Sequence, residues 1–233
     1  PGCPARVNPP ETLTMTPSIT RSTALPEGTP HVPVAIVGAG ACGLVSALSL
    51  RNAGIDCVVL ERDAVPSGST ALSSALIPAC GTRMQQALGI TDSVELFSSD
   101  IAGKTHGTAA AHLVQAYTRA VGPAIDMLAD EHGLDFHVQE GFLFPSHSVL
   151  RMHSVREKTG AALVGYLERA AVAAGADLIT EATVRTLWVD AHQRIAGLSF
   201  ERPDGSVEHL ACDAVVLACN GFGGNAAMVD DLL

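Results

Sequence analysis

Val34-Ala35-Ile36-Val37-Gly38-Ala39-Gly40-Ala41-Cys42-Gly43 is the stretch that decides the fold. Four apolar residues read as a buried strand, and glycines follow it at the spacing G-x-G-x-x-G. Gly38 permits a tight turn, Gly40 leaves no side chain in the way of a pyrophosphate, and Gly43 lets the next helix pack close to the strand. The Ala/Leu/Ser run that follows reads as that helix, over about 42–53, with its free N–H groups and positive dipole end aimed at phosphates. A second strand over about 56–60 delivers Glu61, 23 positions after Gly38. A carboxylate there can accept both hydroxyls of an adenosine ribose and opposes a 2′-phosphate, although the adjacent Arg62 blunts the second effect. The plain alternative is an ordinary βαβ unit whose glycines serve packing alone.

The whole chain suits this α/β reading. Its 233 residues are 47% apolar and only 16% charged, which points to extensive burial. With 14 basic and 24 acidic residues the net charge is −10, which argues against the phosphate attraction that nucleic-acid binders need. Six cysteines (Cys3, Cys42, Cys57, Cys80, Cys212 and Cys219) show neither CxxC nor zinc spacing, and read as buried thiols of a reducing, cytoplasmic setting. Nineteen uncharged residues from Val32 to Leu50 approach the length of a membrane span. The change from a β-branched run to an Ala/Leu/Ser run at the glycines favours strand, turn and helix, so no integral membrane segment is expected.

Working outward, residues 1–31 are rich in Pro, Thr and Ser, lack an apolar period, and read as a disordered tail; 32–233 read as one domain. The chain opens on Pro1 and closes on Asp230-Asp231-Leu232-Leu233 as though part-way into an element, so a fragment is expected. Residues 63–105 read as loop and short helix. A helical stretch over about 108–131 is expected to be interrupted or kinked at Pro123. Phe136–Phe144 suggests a short hairpin, and 160–174 a helix ending at Gly175. Strands are expected at about 176–180, 183–189, 195–200 and 207–211. A final strand, Ala214–Ala218, is apolar throughout, as for a strand covered on both faces. His147 and His153, with Arg151 between them, lie in a loop that could face a substrate. The other histidines show no metal-ligand spacing, and no metal site is expected.

Glycines alone do not choose between NAD and FAD. The segment Pro66-Ser67-Gly68-Ser69-Thr70-Ala71-Leu72-Ser73-Ser74 adds small residues, hydroxyls and backbone donors after the ribose-binding acid, or else is a solvated serine-rich loop. Four stretches carry a resemblance: Val37–Gly43 with Leu60-Glu61-Arg62, Gly68–Ile77, Ile90–Phe97, and Asp213–Gly223; Lys158-Thr159-Gly160-Ala161 adds a fifth. In this order they resemble the FAD-binding domain of the fumarate reductase/succinate dehydrogenase flavoprotein superfamily, which includes 3-ketosteroid dehydrogenases. The likeness covers roughly residues 34–228.

The resemblance implies a Rossmann-like FAD-binding fold: a central parallel sheet, helices and an added antiparallel β-meander. It places Gly38, Gly40, Ala41 and Gly43 against the FAD pyrophosphate, and Glu61 with Arg62 at the adenosine ribose. Gly68, Ser69, Thr70, Ser73 and Ser74 would run beside the isoalloxazine and ribityl chain. Val184 would offer its backbone to the adenine, and Ala218, Cys219, Asn220 and Gly221 would form a turn near the cofactor. The family's second Gly-Gly is Ala75-Leu76 here, and the Thr-Gly of the last motif is Cys219-Asn220. Ser69 stands where succinate dehydrogenases carry the flavin-bonding histidine, so non-covalent FAD is expected. In the family a capping domain and a C-terminal stretch hold the substrate ligands and the proton-transferring arginine, so no catalytic residue is assigned. The implied chemistry is hydride transfer between flavin N5 and a carbon–carbon bond beside a carbonyl or carboxylate of a small-molecule substrate, with no electron partner assigned. An NAD-linked dehydrogenase sharing the first motif, or a nucleotide-binding fragment without turnover, are the alternatives.

Overall fold

Two adjacent strands with apolar side chains on both faces set the layering. The computed structural model describes residues 18–20 and 25–232. Its first elements are β1 (Ser18–Thr20), β2 (His31–Val37), α1 (Ala41–Asn52), β3 (Cys57–Leu60), α2 (Gly68–Ala71) and β4 (Ile77–Pro78). Next come α3 (Arg83–Ala87), α4 (Val94–Lys104), α5 (Ala111–Asp130), β5 (Phe136–Val138), β6 (Met152–Val155) and α6 (Gly160–Ala173). The chain continues through β7 (Asp177–Ile179), β8 (Thr183–Val189), β9 (Ile195–Glu201) and β10 (Val207–Leu217), then a 3-10 turn at Phe222–Gly224 and α7 (Ala226–Leu232).

The main sheet has seven strands in the order β1-β8-β9-β10-β2-β3-β7. Strands β10, β2, β3 and β7 run parallel, and β8, β9 and β10 form an antiparallel meander. A smaller antiparallel sheet, β4-β6-β5, stands apart from it. The pleat sends paired Ile36 and Val59 to one face, where Leu44 and Leu48 of α1 and Leu163 and Leu167 of α6 bury them. Ala35, Val37, Val58 and Leu60 point the other way, into a second core with Leu198, Phe200 and Leu210 of the meander. Each fully buried Leu or Ile here contributes roughly 2 kcal/mol. The α/β architecture with parallel sheet and meander is therefore the one expected. Among the described residues, no helix is long and apolar enough to cross a membrane.

Several local expectations change. Phe136–Phe144 is not a hairpin: β5 pairs with β6, with Phe136 opposite Val155, because the apolar alternation continues only to Val138 and its partner lies beyond the loop. The strands expected at 207–211 and 214–218 are one strand, β10, which serves β9 with its first half and β2 with its second. Its second half is not covered on both faces, since Leu217 is 61% exposed. Helix α5 runs through Pro123 without interruption; the neighbouring Gly122 lies against the Cys80 carbonyl. Part of the expected tail is ordered, with β1 paired to β8 and His31 already in β2, while residues 1–17 and 21–24 lie outside the described residues.

The helical insertion between β3 and β7 is pinned by a buried ion cluster. Arg151, fully buried, donates from Nε and Nη2 to the two oxygens of Asp92 (3.1 and 3.0 Å) and from Nη1 to Asp100 (2.8 Å). Its guanidinium carbon also lies 4.3 Å from the centre of the Phe97 ring. Gln85 donates to Asp92 and to the Leu150 carbonyl, and Ser148 donates twice to Asp100. Next to it His153, also fully buried, shares a short polar chain. The Arg151 carbonyl can only accept, so His153 Nδ1 carries the proton (2.9 Å) and Nε2 accepts from the Thr82 hydroxyl (2.8 Å). Arg151 and His153 are thus structural, and the expectation that this loop presents them to a substrate is corrected: their polar atoms are spent on the core. His147 is half-buried beside Phe97 and Phe144.

Two outcomes follow from these clusters. Arg151→Met would leave two carboxylates without their counter-charge and should cost about 3–5 kcal/mol in a denaturation experiment. Burial holds the His153 imidazole below its ordinary 6.5, and burial with the nearby Arg151 charge does the same to His147. Below pH 6.5 the unfolded chain therefore takes up protons that the folded one refuses, so stability is complete above that pH and declines as pH falls beneath it. Urea midpoints measured from about pH 7.5 down to about pH 5, on either side of the ordinary imidazole value, should fall, and His153→Gln should flatten that slope.

Candidate nucleotide-binding site

The first wall of the site is the turn between β2 and α1. Gly38 sits at φ +104°, and a Cβ on it would lie 2.7 Å from the Ala218 carbonyl oxygen, so only glycine serves there. Its N–H donates to Leu60 O (2.8 Å), and Val37 O accepts from Ala218 N–H (2.9 Å), which ties the turn to both neighbouring strands. At Gly43 an added Cβ would be 1.9 Å from the Gly38 carbonyl oxygen: this glycine faces the strand and not the cavity. Gly40 is the N-cap of α1 and makes no side-chain cap.

Two side chains brace the turn. Glu61, 9% exposed at the end of β3, accepts from Ala39 N–H through Oε2 (2.8 Å) and from Asp63 N–H through Oε1 (3.0 Å). Thr70 on α2 accepts the Ala41 N–H through Oγ1 (3.1 Å). Among the described residues the N–H groups of Gly40 and Cys42 have no partner, and both residues line a cavity of about 330 Å³. The first turn of a helix leaves such donors free, and the dipole makes them a seat for an anion.

Three further walls close the cavity. On one side are Gly68, Ser69 and Thr70; on another Ala218, Cys219 and Asn220; on a third Val184 with its neighbours Thr183 and Arg185. Glu61 and Arg62 line it at the end of β3. Asn220, in the left-handed region at φ +62°, donates from Nδ2 to Ser69 Oγ (3.0 Å) and so joins two walls. Glu61 also anchors β8, because its carbonyl accepts from Ala182 N–H (2.8 Å).

Twelve of the sixteen residues singled out in the sequence thus meet at one cavity. Gly43, Ser73, Ser74 and Gly221 do not line it. Ser73 works behind the wall: its hydroxyl donates to the Thr70 carbonyl (2.7 Å) and its carbonyl accepts from Gly160 N–H (2.8 Å). A Cβ on Gly160 would lie 1.7 Å from Thr70 O, which explains the Thr159-Gly160 pair: Thr159 caps α6 while Gly160 lets α2 rest on it. Cys42, Asp63, Thr183 and Arg185 also line the cavity and were not singled out, although each adjoins a residue that was. Ala75, where the resemblance expects a glycine, takes φ +53° and is buried.

The cysteine reading holds for three of the five described thiols. Burial pushes Cys212 up to about 11 and raises Cys57 and Cys80. Cys42 and Cys219 are exposed, contrary to expectation, because they stand on the cavity wall; Cys3 lies outside the described residues. Among the described residues no group of three metal-ligating side chains comes together.

Comparisons with known proteins agree with this geometry. Residues 33–232 match the model of a family described as an FAD binding domain. A urocanate reductase of Eggerthella lenta is 31% identical over 207 residues, covering 87% of this chain and 34% of that protein. An NADH:fumarate oxidoreductase of Klebsiella pneumoniae is 28% identical over 202 residues, covering 84% of this chain and 21% of the relative. The chain therefore spans about a fifth to a third of these proteins' length. The fold is shared with a 3-ketosteroid-Δ4-(5α)-dehydrogenase of Rhodococcus jostii RHA1, at a TM-score of 0.78 and 23% identity over 91% of this chain and 50% of that one. With its glycine turn, buried acid and serine-rich wall in one cavity, the chain belongs to the FAD-binding domain family, and its cofactor is FAD.

Proposed function

We propose that the cavity holds FAD with its pyrophosphate at the α1 N-terminus, its adenosine toward Glu61, Arg62 and Val184, and its flavin end toward Ser69 and Asn220. The observation that carries this is the pair of unpaired N–H groups at Gly40 and Cys42, on a turn that Glu61 and Thr70 hold rigid from either side. The residues fit the cofactor, since the two donors await an anion where a Cβ at Gly40 would intrude. Thr70 accepts the Ala41 N–H with its lone pair and so keeps its own hydroxyl proton to offer a phosphate oxygen. Glu61 has one lone pair on each oxygen committed to a backbone N–H, and its remaining acceptor capacity suits ribose hydroxyls.

In the whole protein the bound flavin would supply hydride transfer to or from a carbon–carbon bond beside a carbonyl or carboxylate of a small molecule. The relatives named as urocanate and fumarate reductases support this class of reaction. This domain's own part is to bind, orient and shield the cofactor, and its residues provide no proton donor assigned to the substrate. Non-covalent attachment is part of this reading: Ser69, where the resemblance expects the flavin-bonding histidine, accepts from Asn220 Nδ2 through its hydroxyl oxygen. The net charge of −10 speaks against a nucleic-acid partner, and five free thiols among the described residues suit a reducing, cytoplasmic setting.

The test separates a binding glycine from a packing glycine in the full protein. Wild type should purify with visible flavin absorption, and acid precipitation should release all of it into the supernatant. Gly40→Ala adds a Cβ whose nearest contact is Thr70 Oγ1 at 3.4 Å, so the fold should lose no more than about 1 kcal/mol while FAD affinity collapses. Gly43→Ala drives a Cβ to 1.9 Å from backbone and should cost about 3 kcal/mol of stability. Full FAD affinity in Gly40→Ala, or yellow acid-precipitated protein, would contradict the respective assignments.

A further inference from the structure

Five cysteines fall among the described residues, and they divide by exposure. Cys57 and Cys80 belong to one core and Cys212 to the other. Cys57 Sγ donates to the Ala47 carbonyl (3.9 Å) and Cys80 Sγ to the Thr118 carbonyl (3.3 Å). Burial raises the pKa of all three, that of Cys212 up to about 11, away from the thiolate through which sulfur reacts. Cys42 and Cys219, by contrast, are exposed.

These two thiols share a cavity. Cys42, the second residue of α1, and Cys219, in the turn after β10, come from two different walls. Both border the glycine turn. Cys219 Cα lies 3.2 Å from the point where a Cβ on Gly38 would stand, and the Cys42 N–H is one of the two free donors at the α1 N-terminus. Cys219 also immediately precedes Asn220, whose side chain bonds to Ser69 across the cavity. A group added to either sulfur therefore enters the space beside the anion seat, in a volume of about 330 Å³. In a reducing setting disulfides are transient, and they mark thiols that sense an oxidant.

We propose that Cys42 and Cys219 form a thiol-modification site within the cofactor cavity, accepting one half of a low-molecular-weight disulfide when FAD is absent and shielded from it when FAD is bound. The inference rests on the reading of that cavity as the FAD site. In the exchange a cysteine thiolate attacks one sulfur of the disulfide. A new S–S bond forms to the protein, the old one breaks, and the other half leaves as a thiolate that takes up the proton the cysteine lost. One disulfide replaces another, so no further oxidant enters, and an excess of free thiol reverses the step. With glutathione disulfide the attached half is a tripeptide bearing carboxylates. Its bulk competes with the cofactor for space, and its charge competes with the pyrophosphate for the α1 N-terminus. Cofactor and modification exclude one another, and the domain loads FAD only while both thiols are reduced.

The experiment uses the full protein stripped of FAD, glutathione disulfide as the probe, and peptide mass spectrometry to place the adducts. Adducts should form on Cys42 and Cys219 and not on Cys57, Cys80 or Cys212. FAD at about ten times its Kd should slow both by about tenfold, as expected when ligand and reagent compete. The modified protein should bind FAD about tenfold more weakly or worse, and dithiothreitol should restore the affinity. The double variant Cys42→Ser/Cys219→Ser, compared with its own untreated affinity, should lose the response to glutathione disulfide. Absence of an adduct at either thiol, or adducts on the three buried thiols at an equal rate, would overturn the inference. So would modified protein that binds FAD within about twofold of the reduced form, or a response that persists in the double variant. Adduct formation unaffected by FAD would overturn it too, and Gly40→Ala then tells the two readings apart. Lost FAD affinity in that variant keeps the cavity as the FAD site and defeats the shielding alone; full affinity defeats both.

Discussion

The carboxylate of Glu61 is the point on which the site depends. It leaves β3, reaches under the turn and accepts the N–H of Ala39, so the strand that ends in an acid also fixes the glycine turn beside it. The Glu61 backbone then holds Ile179 of β7 and Ala182 just before β8 through its N–H and C=O. One residue therefore ties four segments together at the edge where parallel strands end, the place where open α/β sheets bind ligands. A buried acid that accepts two backbone N–H groups is an architectural part as well as the proposed ribose ligand. A change to a basic residue there would damage the turn itself and could not isolate ribose binding.

Around that centre the chain solves a packing problem by omission of side chains. Gly38, Gly43 and Gly160 each sit where a single extra carbon would fall within 3 Å of backbone. The first two set β2, α1 and β10 at their distances; the third sets α2 against α6 and thereby aims Thr70 at the helix N-terminus. Recognition of an anion by N–H groups demands such placement, because backbone donors cannot reach out as side chains do. Ala75 and Asn220, which stand where the resemblance expects glycine, both take the positive φ that glycine favours, and Asn220 adds a bond to Ser69. Asparagine tolerates that region better than most residues, which suits it to the turn.

Much of this was legible in the order of residues. The β2–α1–β3 unit, Glu61 and the meander follow from periodicity, turn chemistry and motif spacing, which are local signals. The misreadings share a different cause. Phe136–Val138 looks like half of a hairpin because alternation reveals a strand but not its partner, and β6 lies beyond a loop. Arg151 and His153 look like site residues because charge in a loop suggests function, yet their carboxylate and hydroxyl partners, Asp92, Asp100 and Thr82, are 51 to 71 positions away. Cys42 and Cys219 look buried because small thiols usually are, whereas they stand on a cavity wall.

Hydrogen–deuterium exchange of the peptide spanning Gly38–Leu44, with and without ligand, tests the central claim most directly. If the Gly40 and Cys42 N–H groups take the pyrophosphate, FAD and ADP should both slow exchange there, and FMN, which lacks the pyrophosphate, should not. Equal protection by all three, or protection by FAD confined to residues away from this turn, would contradict the account.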